Sequence, residues 1–320
     1  MPNHFNQKII NIYLAAPRGF CAGVERAITM VEEALKKYGK PVYVRHEIVH
    51  NKYVVEDLRD KGAIFINELE EIEDRDRPVI FSAHGVPKSV PKKAKSLNLL
   101  FFDATCPLVS KIHREVEYFE KHNLAIILIG HRNHPEVVGT MGQVSSKIHL
   151  VENENDVAKL KLDQFSKVAY VTQTTLSVDD TLSIIQAIKK RFPDVIEPKN
   201  DDICYATTNR QEAVKKIAPK SDLFIVIGAK NSSNSLRLVE VAQQYGAKES
   251  MLLEKFEKFD LDNLKHISNI GITASASAPE ILVQDFIRLI GKSYRIHVHE
   301  EEYEKENVFF KIPKHLKVVS

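Results

Sequence analysis

The sequence lacks the features that mark several common classes of protein. Its 320 residues carry 45 Lys plus Arg against 43 Asp plus Glu, a net charge of +2, and no basic stretch is interleaved with aromatic residues. A nucleic-acid-binding surface is therefore not indicated. The longest apolar runs, such as 125–129, are far too short to cross a bilayer, and the N-terminus has no basic region followed by an apolar core. We therefore expect a cytoplasmic protein without a membrane or nucleic-acid partner.

Cysteine is scarce, and no two cysteines are close in the sequence. The three cysteines, Cys21, Cys106 and Cys204, form no C-x-x-C pair, which argues against a disulfide framework or a zinc ribbon. Neither a P-loop nor a GxGxxG fingerprint occurs, so a nucleotide is not indicated. In a reducing compartment the cysteines could be free thiols, metal ligands, nucleophiles or small buried hydrophobic residues.

All three cysteines occur in the same local context, between an apolar run and a helical pattern. Cys21 follows a turn that contains Pro17 and Gly19, and Cys106 precedes Pro107, a favoured first residue of a helix. The partial positive charge at a helix N-terminus favours the thiolate, which is the form that binds metal. The sequence therefore predicts three strand-to-helix turns that present candidate thiolate ligands.

Polar loops follow the remaining apolar runs at matching distances from each cysteine. The first loop, at His50, His134 or Ser232, comes 29, 28 and 28 positions after its cysteine. The second loop, at His84, Thr174 or Ser277, comes 63, 68 and 73 positions after it. The chain thus resembles three copies of one unit, in which strands alternate with helices as in parallel sheets. We expect α/β units at 9–105, 106–200 and 201–292, and a C-terminal strand and arm at 293–320 that packs back on the body.

Ligands of parallel sheets bind beyond the carboxyl ends of the strands, where all these loops and cysteines are expected. Three copies meeting there in a pseudo-threefold arrangement would bring the three thiolates to one centre. Three thiolates can hold zinc as part of a Cys₃His site, or an iron–sulfur cluster in which one iron lacks a cysteine. The spacing leaves both cofactors open.

The polar loops suit a small anion with several oxygens, because imidazoles, hydroxyls, carboxamides and helix N-termini can all donate to phosphate. Taken singly, each of these residues would more often be a helix cap or a surface residue. Their matched placement favours a binding role for His50, His84 and His134. For Ser232, Ser233 and Asn234 a binding role and helix-cap or turn chemistry both stay open. Glu136 is a candidate proton donor, because the pKa of a carboxyl rises beside an anion and away from water.

Nine segments together identify a family resemblance. They are RGFCAGVERAI, RHEIVHNKYVV, FSAHGVPKSV, FDATCPLVSKIH, GHRNHPEVVGTMGQ, TQTTLSVDDT, DDICYATTNRQEAV, GAKNSSNSLRL and TASASAPEILVQ. In this order they resemble the 4-hydroxy-3-methylbut-2-enyl diphosphate reductases, the last enzymes of the non-mevalonate isoprenoid pathway. The resemblance runs from about Ile10 to Pro313.

The resemblance implies a cytosolic, oxygen-sensitive oxidoreductase with three α/β domains around a central cavity. Such an enzyme reduces an allylic alcohol diphosphate by two electrons, with loss of water, to isopentenyl and dimethylallyl diphosphates. Ferredoxin or flavodoxin would supply the electrons. Cys21, Cys106 and Cys204 match the ligands of one 4Fe-4S cluster, whose fourth iron takes the substrate hydroxyl.

The resemblance also implies roles for the polar residues. Thr174 matches the threonine near the substrate hydroxyl, and Glu136 matches the acid that feeds protons toward it. The matches to the diphosphate contacts are His50, His84, His134, Ser232, Ser233, Asn234 and Ser277. Two other functions use the same residues: a zinc-dependent hydrolase, and an iron–sulfur sensor that binds a phosphorylated metabolite.

Overall fold

The computed structural model describes residues 8–162, 167–256 and 259–316, which form an α/β protein with three parallel sheets. The strands are β1 (Ile9–Ala16), β2 (Val42–Arg45), β3 (Ala63–Ile66), β4 (Val79–Phe81), β5 (Phe101–Asp103), β6 (Ala125–Ile129), β7 (Ile148–Val151), β8 (Val168–Thr172), β9 (Leu223–Ile227), β10 (Glu249–Leu253), β11 (Asn269–Ala274) and β12 (Arg295–Glu302). The helices are α1 (Ala22–Tyr38), α2 (Lys52–Lys61), α3 (Ser89–Ser96), α4 (Pro107–Lys121), α5 (Pro135–Met141), α6 (Glu154–Ala158), α7 (Val178–Arg191), α8 (Tyr205–Ile217), α9 (Ser233–Gln244) and α10 (Glu280–Gly291). No helix of the described ranges is long and apolar enough to span a membrane.

The apolar runs of the sequence form the central strands. β9 (LFIVI) is buried at all five positions, and β6 (AIILI) is buried at four of five. Burial on both faces is expected where helices cover both sides of a parallel sheet. α4 buries its apolar stripe, as its periodicity predicts, through Val109, Ile112, Val116 and Phe119.

The chain divides into two compact units. In its described part, the first unit contains residues 8–21, 50–52 and 205–308. Its five parallel strands lie in the order β10-β9-β11-β1-β12. Its core contains Leu14, Ile225, Ile272 and Phe286, so the first strand of the chain packs with residues from its last third.

The second unit contains the described residues of 22–49, 53–204 and 309–316. It has two parallel sheets, of order β3-β2-β4-β5 and β7-β6-β8. Hydrogen bonds link the residues directly after α5, which follows β6, to residues that follow β4. The Gln143 amide donates to the carbonyl oxygen of Val86 at 2.8 Å, and the Lys88 N–H donates to the carbonyl oxygen of Gly142 at 3.0 Å. A Cβ at Gly139 would lie 3.1 Å from the backbone of Gly85, so the helix leaves no room there for a side chain.

The three sheets share one strand order. In each, the strand before the first polar loop (β2, β6 or β9) lies between the next strand in sequence and the strand before the second polar loop. The strand before a cysteine lies beside the strand before the second polar loop: it is β5 in one sheet and β1 in another. In the third sheet, a parallel bridge from Ala169 to Ile196 takes this place. Repetition of one α/β unit, predicted from the spacing, is therefore present in the topology.

One strand lies outside the unit to which the sequence assigned it. β1 falls in the predicted unit 9–105, but it pairs with β11 and β12, from Asn11↔Asn269 and from Ile9↔Arg295 onward. A repeating sequence can be divided at several points, and spacing does not say which sheet takes the strand before a cysteine. The other limits of the predicted units remain predictions.

Candidate active site

Each cysteine directly precedes a helix, as predicted. Cys21 and Cys204 come immediately before α1 and α8, and Cys106 is the N-cap residue of α4, with Pro107 as its first residue. None of the three forms a disulfide, and all three are partly exposed. They are therefore reachable from solvent, and each lies at the N-terminal end of a helix.

The backbone of each cysteine is fixed to a polar loop. Its N–H donates to a carbonyl oxygen of the loop that follows β11, β4 or β8. The pairs are Cys21 with Ala276 at 3.2 Å, Cys106 with Ala83 at 2.9 Å, and Cys204 with Thr174 at 3.1 Å. One bond of the same kind thus holds every cysteine turn.

The sequence left zinc and an iron–sulfur cluster open as cofactors, and the three cysteines can be compared with the ligands that each needs. Among the described residues, no group of three or more His, Cys, Asp or Glu side chains is placed to hold a single metal ion. An iron–sulfur cluster takes each thiolate on a different iron, so its ligands stand farther apart. Three partly exposed cysteines outside any disulfide, each at a helix N-terminus, are donors that fit such a cluster.

Glu136 and Thr174 form a buried pair at the ends of β6 and β8. The Thr174 N–H and Oγ1 donate to the two carboxylate oxygens of Glu136 at 2.7 and 2.9 Å. Only 3% of Glu136 is exposed. Burial raises the pKa of Glu136 from 4.5 to about 7, and the Asp202 carboxylate adds to the rise, whereas the Thr174 hydrogen bonds oppose it. The carboxyl can therefore hold or release a proton near neutral pH.

Two histidines continue this group within the same unit. His134 is the N-cap residue of α5, and its Nδ1 accepts the Glu136 N–H at 3.2 Å. The ring of His84 lies edge-on to that of His134, with 5.9 Å between centroids. The second unit thus brings four predicted site residues into one chain of contacts: His84, His134, Glu136 and Thr174.

The first unit brings the other polar residues to the N-terminus of α9. The helix begins at Ser233 and is capped by Ser232, whose Oγ accepts the Ser235 N–H at 3.3 Å. In the run NSSNS several residues can cap a helix, and Ser232 is the one that does so. Ser233 and Asn234 are therefore the first two residues of the helix, where N–H groups can bind an anion.

Asn234 has an unsatisfied donor at this helix end. Its Oδ1 accepts the Ala276 N–H at 2.9 Å, which fixes the amide, while its buried Nδ2 has no hydrogen-bond partner. Only 4% of Asn234 is exposed. A buried N–H without an acceptor is costly, so this amide could donate to a ligand oxygen.

His50 and Ser277 contact each other in the same unit. The Ser277 Oγ donates to the backbone carbonyl of His50 at 2.9 Å, and the Asn231 amide lies 3.3 Å from the imidazole Nδ1 of His50. The sequence analysis missed Asn231. Its position directly before Ser232 in the polar loop is the signal that could have found it.

Comparison with known proteins adds the family. Residues 12–291 match the family model described as LytB protein. The chain belongs to this family. Its relatives include the 4-hydroxy-3-methylbut-2-enyl diphosphate reductases of Methylocella silvestris and Roseobacter denitrificans, which are 54% and 56% identical over 309 residues. Those alignments cover 96% of this chain and 97% and 98% of the relatives.

Solved structures of the same family agree with the fold of this LytB chain. The E-1-hydroxy-2-methyl-but-2-enyl-4-diphosphate reductase of Plasmodium falciparum matches with a TM-score of 0.89 and 42% identity, over 97% of both chains. A (E)-4-hydroxy-3-methyl-but-2-enyl diphosphate reductase, described as the terminal enzyme of the non-mevalonate pathway, matches with a TM-score of 0.64 and 31% identity. That match covers 88% of this chain and 99% of the other. The family resemblance and the α/β fold are confirmed.

The sequence analysis of this LytB chain also missed Asp202. Its carboxylate is buried, accepts the Thr172 N–H at 2.9 Å and pairs with Lys111 at 2.9 Å. Its charge also contributes to the raised pKa of Glu136. The only sequence signal is its place two residues before Cys204.

Proposed function

We propose that this LytB-family chain is a 4-hydroxy-3-methylbut-2-enyl diphosphate reductase, an oxidoreductase of isoprenoid biosynthesis. It reduces the allylic alcohol diphosphate to isopentenyl and dimethylallyl diphosphates, the last step of the non-mevalonate pathway. The observation that carries this proposal is 54% and 56% identity, over 96% of the chain, to relatives of that name. A cytoplasmic location remains a prediction.

Cys21, Cys106 and Cys204 would hold one 4Fe-4S cluster, leaving one iron without a protein thiolate. Support comes from three partly exposed cysteines that form no disulfide, each at the start of a helix. Such a cluster supplies electrons and a Lewis-acidic iron to the reaction. Ferredoxin or flavodoxin would reduce the protein.

The diphosphate would be bound by hydroxyl, amide, imidazole and backbone N–H donors. In the first unit these are the α9 N-terminus with its serines, the Asn234 amide, His50 and Ser277; in the second unit they are His84 and His134. Support comes from the buried, unsatisfied Nδ2 of Asn234 at the helix N-terminus. Anchoring the diphosphate leaves the reacting end of the substrate little entropy to lose, so remote binding energy serves the chemical step.

Glu136 would supply the proton with which the hydroxyl leaves as water. The reaction consumes two electrons and two protons: the C–O bond breaks, one proton leaves with the hydroxyl, and the other forms a C–H bond. Thr174 Oγ1, 2.9 Å from the Glu136 carboxylate, would pass the first proton. A pKa of about 7 suits this role, because the acid is still partly protonated at neutral pH.

Anaerobic purification followed by iron and sulfide analysis tests the proposal, together with turnover of the allylic diphosphate under a chemical reductant. We expect about four irons per chain and both isoprenoid diphosphates as products. Zinc-loaded, colourless protein would support the hydrolase instead. An iron–sulfur protein that yields no product with reductant would support the sensor.

Replacing each cysteine singly by serine tests the ligand assignment. We expect Cys21→Ser, Cys106→Ser and Cys204→Ser each to lower iron content and turnover, because a cluster site with only two thiolates holds its iron weakly. Ser96→Ala, an exposed change in the second unit, is the control. Full iron content in any cysteine variant would contradict the three-ligand site.

A further inference from the structure

Three basic residues occupy equivalent positions after the three cysteines. Arg26, Lys111 and Arg210 come five, five and six residues after Cys21, Cys106 and Cys204, in α1, α4 and α8. Each donates hydrogen bonds into the turn that leads to a different cysteine. Every one of these contacts lies within a single unit of the chain.

Arg26 holds the turn before Cys106. Its Nη1 donates to the carbonyl oxygens of Ala104 and Thr105 at 3.2 and 3.1 Å, and its Nε donates to that of Lys311 at 3.1 Å. Ala104 and Thr105 are the two residues directly before the cysteine. The guanidinium thus fixes two consecutive peptide groups at the entrance to α4.

Lys111 holds the segment before Cys204. Its Nζ donates to the Asn200 carbonyl oxygen at 2.7 Å and to the Asp202 carboxylate at 2.9 Å. The other carboxylate oxygen of Asp202 accepts the Thr172 N–H at 2.9 Å. The cation therefore fastens this segment to the end of β8 through a buried carboxylate.

Arg210 holds the turn before Cys21. The side chain is fully buried, and its Nη2 and Nε donate to the Gly19 carbonyl oxygen at 2.8 and 3.3 Å. Gly19 has a φ of +73°, and its N–H donates to the Ala274 carbonyl oxygen at 3.1 Å. Glu306 neutralises the guanidinium, with 3.0 Å between Nη1 and Oε1. A buried cation without such a partner would strongly destabilise the fold.

The contacts run in cyclic order along the chain. The helix after Cys21 holds the turn before Cys106, the helix after Cys106 holds the turn before Cys204, and the helix after Cys204 holds the turn before Cys21. In each case the basic side chain donates a hydrogen bond to the residue two positions before the cysteine, which is Ala104, Asp202 or Gly19. A contact repeated in all three copies is not explained by local packing at any one of them.

We propose that Arg26, Lys111 and Arg210 are positioning residues for the three cysteines. This rests on the proposed function, in which the cysteines hold the cluster. Each cysteine turn is fixed by a cationic side chain on the residues before it and by the cysteine N–H bond to a polar loop. These bonds restrain the backbone that carries each thiol, both before the cluster is inserted and afterwards. Residues that orient metal ligands typically change metal affinity by about 10- to 100-fold.

Lys111→Met is the primary test, because the Lys111 side chain is 23% exposed and its loss leaves Asp202 bound to the Thr172 N–H. Lys121→Met, at the exposed C-terminal end of the same helix, is the matched control. Reconstituted protein is mixed anaerobically with a ferrous-iron chelator, and the loss of cluster absorbance gives the release rate. Circular dichroism confirms that each variant is folded at the assay temperature.

We expect release from Lys111→Met to be about 10- to 100-fold faster than from wild type or Lys121→Met. Lys111→Arg keeps a charged donor that can reach both acceptors, so it should restore slow release; a merely structural contribution to helix packing would not show this pattern. Arg26→Met, with the exposed Lys36→Met as its control, repeats the test at the second turn.

The outcomes separate this inference from the proposed function. If wild type loads the cluster and the folded Lys111→Met and Arg26→Met variants release it at the wild-type rate, the positioning role is wrong and the cluster assignment stands. If wild-type protein cannot be loaded with iron and sulfide, the cluster assignment fails and this inference fails with it. Faster release from both variants, with unchanged controls, supports the inference.

Discussion

Replacing Glu136 by glutamine changes the charge of one buried group and little else. The Glu136 carboxylate accepts two hydrogen bonds from Thr174, at 2.7 and 2.9 Å. A glutamine can still accept the N–H with its oxygen and can donate its own amide hydrogen to Thr174 Oγ1. The variant should therefore keep the fold while losing the titrating proton.

The free energy of unfolding should show this loss as a change in its pH dependence. Burial raises the pKa of Glu136 from 4.5 to about 7, so between these values the folded chain holds a proton that the unfolded chain has released. Wild-type stability therefore falls as pH rises through this window. The full effect is about 3 kcal/mol, most of it between about pH 5 and about pH 8.

Chemical denaturation of the cluster-free protein at several pH values provides the measurement. In the difference in unfolding free energy between wild type and Glu136→Gln, the contributions of groups that titrate equally in both proteins cancel. We expect this difference to shift in favour of the variant as pH rises. Glu154→Gln, at an exposed first-turn glutamate of α6, is the control and should give a flat difference.

Turnover gives an independent measure of the same proton. If Glu136 supplies it, Glu136→Gln should lower turnover by about two to four orders of magnitude with diphosphate binding nearly unchanged. Wild-type turnover should also fall as pH rises above about 7, where the carboxyl is ionised. A flat stability difference would refute the buried titrating carboxyl, and unchanged turnover would remove Glu136 from the role of proton donor.

Two further predictions concern α9 and α5, helices that follow two of the polar loops. Asn234→Asp keeps the oxygen that accepts the Ala276 N–H but puts a negative oxygen in place of the unsatisfied Nδ2; calorimetry should show diphosphate binding weakened by about 10- to 100-fold. Asn263→Asp, at an exposed site of the same unit, should leave binding unchanged. Gly139→Ala should lower the free energy of unfolding by about 1–3 kcal/mol, because the added methyl meets backbone at 3.1 Å. In Gly291→Ala the methyl meets only a side-chain atom at 3.5 Å, so denaturation should show no loss; equal effects of the two changes would contradict the packing argument.

Sequence periodicity predicted well those features that depend on neighbouring residues. The start of α4 after Cys106 and its buried face follow from Pro107 and from apolar residues three or four positions apart. The meeting of Glu136 with Thr174 follows from the parallel sheet, since the carboxyl ends of neighbouring strands lie at one edge. These are local patterns combined with one general rule of sheet architecture.

Contacts between distant parts of the chain could not be predicted in this way. Nothing near Arg210 indicates that its guanidinium binds the Gly19 carbonyl, 191 positions earlier, because backbone carbonyls carry no sequence signal. The position of β1 between β11 and β12 was missed for the same reason. A basic residue five or six positions after every cysteine was the one available signal for the positioning residues.

The position of β1 imposes an order on folding during synthesis. This strand is synthesised long before both of its partners, β11 and β12, which begin only at Asn269 and Arg295. Until then the nascent chain carries an apolar strand with unpaired edges, the kind of segment that aggregates and that chaperones bind. Such distant pairings also slow folding, because a long loop must close before any contact is gained. The turn leading to Cys21 can therefore be completed only after β11 and the residues that follow it have been synthesised.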